Sequence, residues 1–173
     1  MKNVYCLLAF ILCYALPINS KQFTVSSQSF KNNESIPVKY TGDGQNVSPH
    51  LQWSNAPAGT KSFALFVQDP DAPEKVWVHW LLFNIPSIMH ELPEGIKTGN
   101  FLSGVTDFYY TVNGIFQYGG PFPPKGSKHR YEFTIYALDT VLNLSSDAER
   151  DDVLIAMEGH ILAQAQLIGV YKR

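Results

Sequence analysis

Cysteine is almost missing from this sequence. Its 173 residues include two cysteines, Cys6 and Cys13, and both lie close to the N-terminus. Residues 21–173 contain none, so this part of the chain cannot form a disulfide, supply a thiol nucleophile or build a cysteine-based zinc site. Any chemistry performed by residues 21–173 must use other side chains.

An excess of positive charge is missing as well. The chain has 13 Lys and Arg against 15 Asp and Glu, for a formal net charge of −2, so no basic field favours nucleic acid as a partner. The sequence also lacks the G-x-S-x-G nucleophile elbow, the H-E-x-x-H zinc motif, the P-loop and the dinucleotide-binding fingerprint. We therefore expect neither a serine hydrolase triad nor a bound cofactor.

Long apolar runs are limited to the first residues. Val4 to Leu16 is almost unbroken apolar sequence, behind the basic start Met1-Lys2-Asn3 and ahead of Pro17-Ile18-Asn19-Ser20. This pattern predicts a cleaved secretory signal over residues 1–20, a single domain over residues 21–173, and a secreted or periplasmic protein. An uncleaved anchor is the alternative, but the run is shorter than the ~20 residues that span a bilayer, so we do not expect an integral membrane protein.

Short apolar runs and turn clusters alternate along the remaining chain, which is rich in aromatic residues (13%). This pattern predicts a mainly β domain. The predicted strands are 23–27, 36–40, 51–53, 62–68, 76–86, 130–138 and 167–173, with a mostly irregular stretch over 87–125.

The segment 76–86 is apolar on both faces of a strand, which is typical of a strand between two layers. Alternation predicts one face with His79, Leu81, Phe83 and Ile85, and an opposite face with Val78, Trp80, Leu82 and Asn84.

One helix is predicted near the C-terminus. Ser145-Ser146-Asp147 can cap its start, and acidic residues follow in its first turns. The predicted apolar stripe consists of Val153, Ile155, Ala156 and Met157.

Polar side chains gather where predicted strands meet loops. Asp69 and Asp71 follow strand 62–68 in the rigid turn Asp69-Pro70-Asp71-Ala72-Pro73. Trp77 and His79 lie on strand 76–86. Each segment also has a structural interpretation, an Asx-type turn for the aspartates and a core histidine for His79.

A third segment, GGPFPPKGSKHRY at 119–131, combines glycines and prolines with a histidine at the mouth of a strand. His129 and Tyr131 share one face of that strand, and Gly119 and Gly120 leave the backbone N–H groups free of side-chain cover. Such N–H groups form anion-receiving nests, although a simple chain reversal explains the same glycines.

These groups suit a small oxyanion such as phosphate, because imidazoles and backbone N–H groups donate hydrogen bonds. The alternative is a divalent metal held by Asp69, Asp71, His79 and His129. Their spacing matches no standard metal motif, so we predict no metal site.

Together these motifs resemble the phosphatidylethanolamine-binding proteins, a family that includes the Raf kinase inhibitor proteins and the plant flowering regulators. The resemblance rests on DPDAP (69–73), W-x-H (77–79) and GGP-x-PP-x-G-x-x-HRY (119–131), and also on NVSPHLQW (46–53), LPEG (92–95) and the C-terminal AMEGHILAQAQLIGVYKR. It covers residues 23–173 and is closer to the bacterial branch. Phe122 and His50 depart from that branch, where cysteine and proline are common, and Phe122 could narrow the pocket entrance.

The resemblance implies an antiparallel β-sandwich with a few short helices, one of them near the C-terminus. It also implies a pocket for an anion such as phosphate or a phosphorylethanolamine-like head group. Carried over position by position, the ligand-binding residues are Asp69, Asp71, Trp77, His79, Gly119, Gly120, Pro121, His129 and Tyr131. The implied roles are hydrogen bonds from the histidines, backbone donors from the glycines, an orienting or accepting role for Asp69, and a loop-holding role for Asp71.

The resemblance implies a non-enzymatic binding protein that regulates or inhibits a partner protein. Two alternatives remain: an inhibitor that acts through its surface and has a vestigial pocket, and a hydrolase that uses the Asp/His cluster. The sequence does not identify the protein partner, and it leaves the choice between monomer and homodimer open.

Overall fold

The computed structural model describes residues 21–96, 106–108, 111–112, 115–116, 118–145 and 148–173. In chain order the strands are β1 (Thr24–Ser26), β2 (Glu34–Ser35), β3 (Leu51–Ser54), β4 (Ser62–Asp69), β5 (Trp77–Pro86), β6 (Glu91–Leu92), β7 (Thr106–Phe108), β8 (Thr111–Val112), β9 (Ile115–Phe116), β10 (Lys128–Leu138) and β11 (Ile161–Lys172). The helix α1 spans Arg150–Met157, and a short 3-10 helix spans Val38–Tyr40. The mainly β prediction is confirmed.

Two sheets form the body of the domain. The larger has six strands in the order β2-β11-β10-β4-β5-β7, and the smaller has three in the order β1-β3-β6. All described pairings are antiparallel except β11 with β2, which is parallel. The signal-like residues 1–20, and with them the predicted cleavage region, lie outside the described residues.

Two apolar cores cover the two faces of the large sheet. The first joins it to the small sheet, for example where the rings of Trp53 and Phe63 meet with centroids 5.3 Å apart. The second packs Phe66 and Phe83 of the large sheet with Val153 and Met157 of α1. The prediction that strand 76–86 lies between two layers is therefore confirmed.

Strict alternation along β5 is wrong, because two β-bulges interrupt it. Gln68 pairs with Val78 while Val67 pairs with Trp80, so His79 is an extra residue with no partner of its own. A second irregularity places Phe63 opposite Ile85 but Leu65 opposite Leu82. As a result Val78 packs in the second core and Ile85 in the first, opposite to the faces predicted for them.

Two other local predictions are corrected by the structure. Residues 36–40 do not form a strand, because β2 ends at Ser35 and Pro37 caps the start of the 3-10 helix Val38–Tyr40. Helix α1 is capped by Glu149 rather than by Ser145-Ser146-Asp147, through a capping box in which Glu149 and Asp152 bond each other's backbone N–H groups. In the predicted apolar stripe, Val153 and Met157 are buried, whereas Ile155 is 66% exposed.

Within the described ranges, no helix is long and apolar enough to cross a membrane.

Candidate functional site

Three neighbouring strands of the large sheet meet at one edge and enclose a cavity. Asp69 ends β4, Trp77 begins β5 and His129 is the second residue of β10. Because β10, β4 and β5 are adjacent and antiparallel, the end of β4 lies between the beginnings of the other two strands. The cavity measures about 260 Å³ and is lined by Asp69, Ala72, Pro73, Trp77, His79, Gly120, Phe122, Pro123, Pro124, His129 and Tyr131.

Asp69 and His129 form a buried carboxylate–imidazole pair. The two residues are 4% and 7% exposed, and His129 Nδ1 lies 2.7 Å from Asp69 Oδ2. Since a carboxylate only accepts, Nδ1 carries the hydrogen and donates it. In the neutral ring this places the lone pair on Nε2, the ring nitrogen left for a ligand.

Asp71 stands behind this pair and does not line the cavity. Its backbone N–H donates to Asp69 Oδ1 at 2.9 Å, which fixes the second oxygen of the Asp69 carboxylate. The Asp71 carboxylate accepts three hydrogen bonds from Arg130, from the backbone N–H (2.9 Å), Nε (3.0 Å) and a terminal guanidinium nitrogen (2.7 Å). These bonds lower the pKa of Asp71 to about 2, so Asp71 holds the loop as an anion at neutral pH.

His79 is held by a two-way exchange with Gly119. Its Nδ1 lies 2.7 Å from the Gly119 carbonyl oxygen and donates to it, and the Gly119 N–H donates to the His79 carbonyl oxygen at 2.9 Å. Burial lowers the pKa of His79 below its ordinary value, and the Gly119 carbonyl and the Asp69 charge only partly oppose this effect. Like His129, His79 therefore donates a hydrogen bond to the protein through Nδ1, and Nε2 is the ring nitrogen that remains for a ligand.

Tyr131 forms the inner wall of the cavity. Its ring is fully buried and meets the His79 ring edge-on, with centroids 5.1 Å apart and planes at 79°. The hydroxyl has no partner at hydrogen-bonding geometry among the described residues, although the Asp69 carboxylate is close enough to influence it. Burial, and then the Asp69 charge, hold the pKa of Tyr131 above its ordinary value, so the hydroxyl stays protonated and can donate.

The glycine loop does not provide the predicted free donors. The Gly119 N–H is bound to His79, and the Gly120 N–H donates to Asn46 Oδ1 at 2.6 Å. A Cβ on Gly120 would lie closer than 3.0 Å to the Tyr40 carbonyl oxygen and the Thr41 Cα, so close packing explains this glycine. The prediction of an anion nest made by Gly119 and Gly120 is wrong, because both donors are already used.

Six of the nine residues predicted for the site line the cavity: Asp69, Trp77, His79, Gly120, His129 and Tyr131. Asp71 and Gly119 do not line the cavity but hold the lining residues Asp69 and His79. Pro121 does not line it either, and its carbonyl oxygen accepts from the Gly42 N–H at 2.9 Å. Whether the lining residues bind a ligand stays a prediction.

Five lining residues were missed as site residues, namely Ala72, Pro73, Phe122, Pro123 and Pro124. All five lie inside the DPDAP and GGPFPP motifs, so motif membership was the signal that could have found them. Phe122, which was expected to shape the entrance, is 51% exposed and lies under the Arg173 guanidinium, whose central carbon is 3.5 Å from the ring centroid. Trp77 is 44% exposed, and together these two aromatic rings form the solvent-facing rim.

Metal ligation finds little support in this geometry. Among the described residues, no group of three or more His, Cys, Asp or Glu side chains is arranged to hold a metal ion. The Asp69 carboxylate is directed at His129 and at the Asp71 N–H instead.

A second cavity of about 320 Å³ adjoins the outer side of Trp77 and is lined also by Lys75, Glu149, Arg150 and Asp151. Its two cations, Lys75 and Arg150, are balanced by the carboxylates of Glu149 and Asp151, and no histidine is among its described lining residues. The cavity at the strand ends is therefore the better candidate site.

The chain is similar to known proteins over most of its length. A family model described as phosphatidylethanolamine-binding protein matches residues 26–172. The chain is 47% identical over 149 residues to a UPF0098 protein of Methanothermobacter thermautotrophicus, covering 86% of this chain and 98% of that protein. It is 43% identical over 172 residues to a UPF0098 protein of Aquifex aeolicus, covering 92% and 98%.

Two solved structures share the fold. A putative phosphatidylethanolamine-binding protein homologue from Chlamydia trachomatis, CT736, superposes with a TM-score of 0.79 at 36% identity, covering 88% of this chain and 98% of that one. Escherichia coli YbcL, described as a new member of the mammalian family, superposes with a TM-score of 0.78 at 33% identity, covering 88% and 99%.

Proposed function

Because this chain belongs to the phosphatidylethanolamine-binding protein family, we propose that its pocket reversibly binds a small ligand through a phosphoryl or similar anionic group. The observation that carries the proposal is the pair of buried imidazoles, His79 and His129, that line one cavity with Nδ1 bound to the protein. In this proposal a ligand oxygen lies between Nε2 of the two rings and the hydroxyl of Tyr131, which has no hydrogen-bond partner among the described residues.

The protonation state of the rings decides what this pocket can hold. A neutral ring whose Nδ1 donates to the protein offers a lone pair at Nε2, which repels an unprotonated anionic oxygen. A protonated ring offers N–H instead. The anion must therefore arrive with a proton, or one of the rings must take up a proton from solvent when the anion binds. The backbone N–H groups of Gly119 and Gly120 cannot replace this proton as a donor, because both are already bonded within the protein.

The described lining supports binding without catalysis. It contains no serine, threonine or cysteine that could act as an alcohol or thiol nucleophile. A hydrolase that uses the Asp69 carboxylate to position a water would compete with the hydrogen bonds that both of its oxygens already accept from the protein.

Nuclear magnetic resonance of the imidazole groups tests the proposal. Titration with phosphate and with phosphorylethanolamine should shift the signals of His79 and His129 saturably, while the signals of His160, which is half-exposed and lies outside the pocket, should stay constant. The alanine variants of His79 and His129 should each bind more weakly. Unchanged signals of both rings in the folded protein would refute the proposal.

A location outside the cytosol is part of the proposal and rests on the signal-like pattern of residues 1–20. Expression of the full chain in a bacterial host should yield a periplasmic or secreted product that lacks this segment, which intact mass measures directly. A product that keeps residues 1–20 in the membrane fraction would favour the uncleaved anchor.

A further inference from the structure

We propose that His129 accepts a phosphoryl group on Nε2, so that the pocket holds phosphate covalently as well as reversibly. This inference rests on the proposed function, because the phosphoryl donor must first enter the same cavity. It extends that function from reversible binding to a chemical modification of the protein itself.

The fixed tautomer of His129 is the first argument. The 2.7 Å hydrogen bond from Nδ1 to Asp69 keeps the hydrogen on Nδ1 and the lone pair on Nε2. Asp69 cannot rotate away, because its other oxygen accepts the Asp71 N–H and Asp71 is itself clamped by Arg130. With its lone pair fixed in the pocket, Nε2 of His129 cannot donate a hydrogen bond to a phosphoryl oxygen, but it can attack phosphorus as a nucleophile.

Burial of the pair is the second argument. As an Nε2–P bond forms, the imidazole ring becomes positively charged, and a buried carboxylate 2.7 Å from Nδ1 stabilises that charge far better than an exposed one does. Asp69 thus acts as a positioning residue that orients the ring and balances its charge.

The surrounding groups can accommodate the phosphoryl oxygens. The Tyr131 hydroxyl is buried, protonated and unpartnered at hydrogen-bonding geometry among the described residues, so it can donate to one oxygen. His79 lines the same cavity and can accept a P–OH when neutral or donate when protonated.

The step balances without any further reactant when the donor is phosphoramidate. The nitrogen of phosphoramidate already carries three hydrogens. When the P–N bond breaks, its electron pair stays on this nitrogen, which leaves as ammonia. The new bond to phosphorus forms from the lone pair of His129 Nε2. The hydrogen on Nδ1 stays between the ring and Asp69. No oxidant, reductant or external proton is consumed.

The fold contains a matched internal control. His160 makes the same kind of bond, Nδ1 to Asp139 Oδ1 at 2.8 Å, but both side chains are nearly half-exposed at the surface. If a hydrogen-bonded carboxylate alone produced the reactivity, His160 would react as readily as His129. The pocket is what distinguishes the two histidines.

The experiment treats the full-chain protein with phosphoramidate and follows intact mass, with the modified residue located by fragmentation. The expected product carries one acid-labile phosphoryl group on His129. His129→Gln should lose it, His160→Gln should keep it, and Asp69→Asn should slow it by roughly 10- to 100-fold, the range found for carboxylates that orient metal-ligating histidines.

A measurement on the unmodified sequence avoids reliance on variants that could fail to fold. Inorganic phosphate that occupies the pocket should slow the modification of His129 and leave any slow modification of His160 unchanged. Equal labelling of His129 and His160, or labelling of His129 that phosphate does not slow, would overturn the inference. Saturable phosphate binding without any label would overturn it while the proposed function stands, whereas absence of both binding and label would remove both.

Discussion

His79 is a buried base whose protonation the folded state resists. Since burial lowers its pKa below the ordinary 6.5, the unfolded chain takes up a proton at higher pH than the folded chain does. The contribution of His79 to stability is therefore complete above about pH 6.5 and declines as the pH falls towards the lowered pKa.

Thermal unfolding at several pH values checks this expectation. Between about pH 7.5 and 5, the midpoint of His79→Gln should fall less steeply than that of the unmodified protein, because glutamine cannot titrate. His160→Gln, which removes a half-exposed histidine outside the pocket, is the control for the loss of an imidazole. Parallel curves for the unmodified protein and His79→Gln would contradict the expectation.

Asp71 stabilises the loop behind the pocket as an anion. Its pKa of about 2 lies below the ordinary 3.8, so its contribution is complete above about pH 3.8 and is lost as the pH falls towards 2. Because Arg130 is largely solvent-exposed, screening limits the value of the pair, and we expect Asp71→Asn to cost about 1 kcal/mol at pH 7.

Denaturant unfolding of Asp71→Asn measures this cost. Arg130→Lys is the companion variant, since it keeps the charge and the backbone N–H but loses the forked guanidinium contact, and it should cost less. A neutral effect of Asp71→Asn at pH 7 would show that the ion pair only orders the loop.

Gly120 is required by packing at the back of the pocket. We expect Gly120→Ala to destabilise the domain by about 1–3 kcal/mol, the usual range for overpacking. The added removal of the Asn46 side chain should not restore stability, because the Tyr40 carbonyl oxygen and Thr41 Cα that crowd the new methyl group belong to the backbone. Recovery in the double variant would place the conflict at Asn46 instead.

At the scale of elements, β5 shows how a strand can serve both a core and a site. The bulge at His79 releases that residue from the ladder, while Trp80 and Leu82 still fill one core and Leu81 and Phe83 the other. The sequence carries the apolar pattern but no sign of the extra residue, since bulge formation depends on the register with β4. Face assignments made from alternation therefore fail at Val78 and Ile85.

Asn84 stabilises the second irregularity of β5. It has a positive φ of 58°, its Nδ2 donates to the Leu142 carbonyl oxygen at 2.9 Å, and its Oδ1 accepts the Leu142 N–H at 2.8 Å. Asn55 has nearly the same φ, 59°, but its Nδ2 makes only exposed hydrogen bonds, to the Gln22 carbonyl oxygen at 3.1 Å and to Ser54 Oγ at 3.5 Å.

Glycine substitution at both positions isolates the side-chain clamp, because glycine tolerates a positive φ. We expect Asn84→Gly to lose about 2 kcal/mol, from two part-buried hydrogen bonds, and Asn55→Gly to lose less than about 1 kcal/mol. Chemical denaturation of both variants measures the difference. Equal losses would show that the clamp contributes little.

For the whole molecule, the sequence motifs predicted the fold class and six of the residues that line the cavity. DPDAP, W-x-H and the HRY segment do meet at one sheet edge, because they flank three strands that become neighbours. What could not be predicted was hydrogen-bond saturation. From the sequence, the backbone N–H groups of Gly119 and Gly120 are expected to be free. Only the tertiary structure shows that they donate to the His79 carbonyl oxygen and to Asn46 Oδ1.

Because the Gly119 and Gly120 N–H groups are not available to a ligand, we expect the affinity for an anion to depend on pH. Sulfate carries no titrating proton near neutral pH, so any proton needed for its binding must be taken up by the protein, and we expect its affinity to rise as the pH falls from about 8 to 6. The rise should approach about tenfold per pH unit for each proton taken up.

Calorimetry in buffers of different ionisation enthalpy counts these protons, and His79→Gln should take up fewer. Sulfate affinity that does not change with pH would mean that backbone or hydroxyl donors suffice.

The meeting of three strand ends at one edge also has a kinetic consequence. The Asp69–His129 contact joins residues 60 positions apart and the His79–Gly119 contact joins residues 40 apart, so the pocket exists only after distant parts of the chain have found their register. We expect the contacts that depend on this register to form after the folding transition state. A bound anion should therefore leave the rate of folding unchanged and lower the rate of unfolding, so that the ligand extends the lifetime of the native protein.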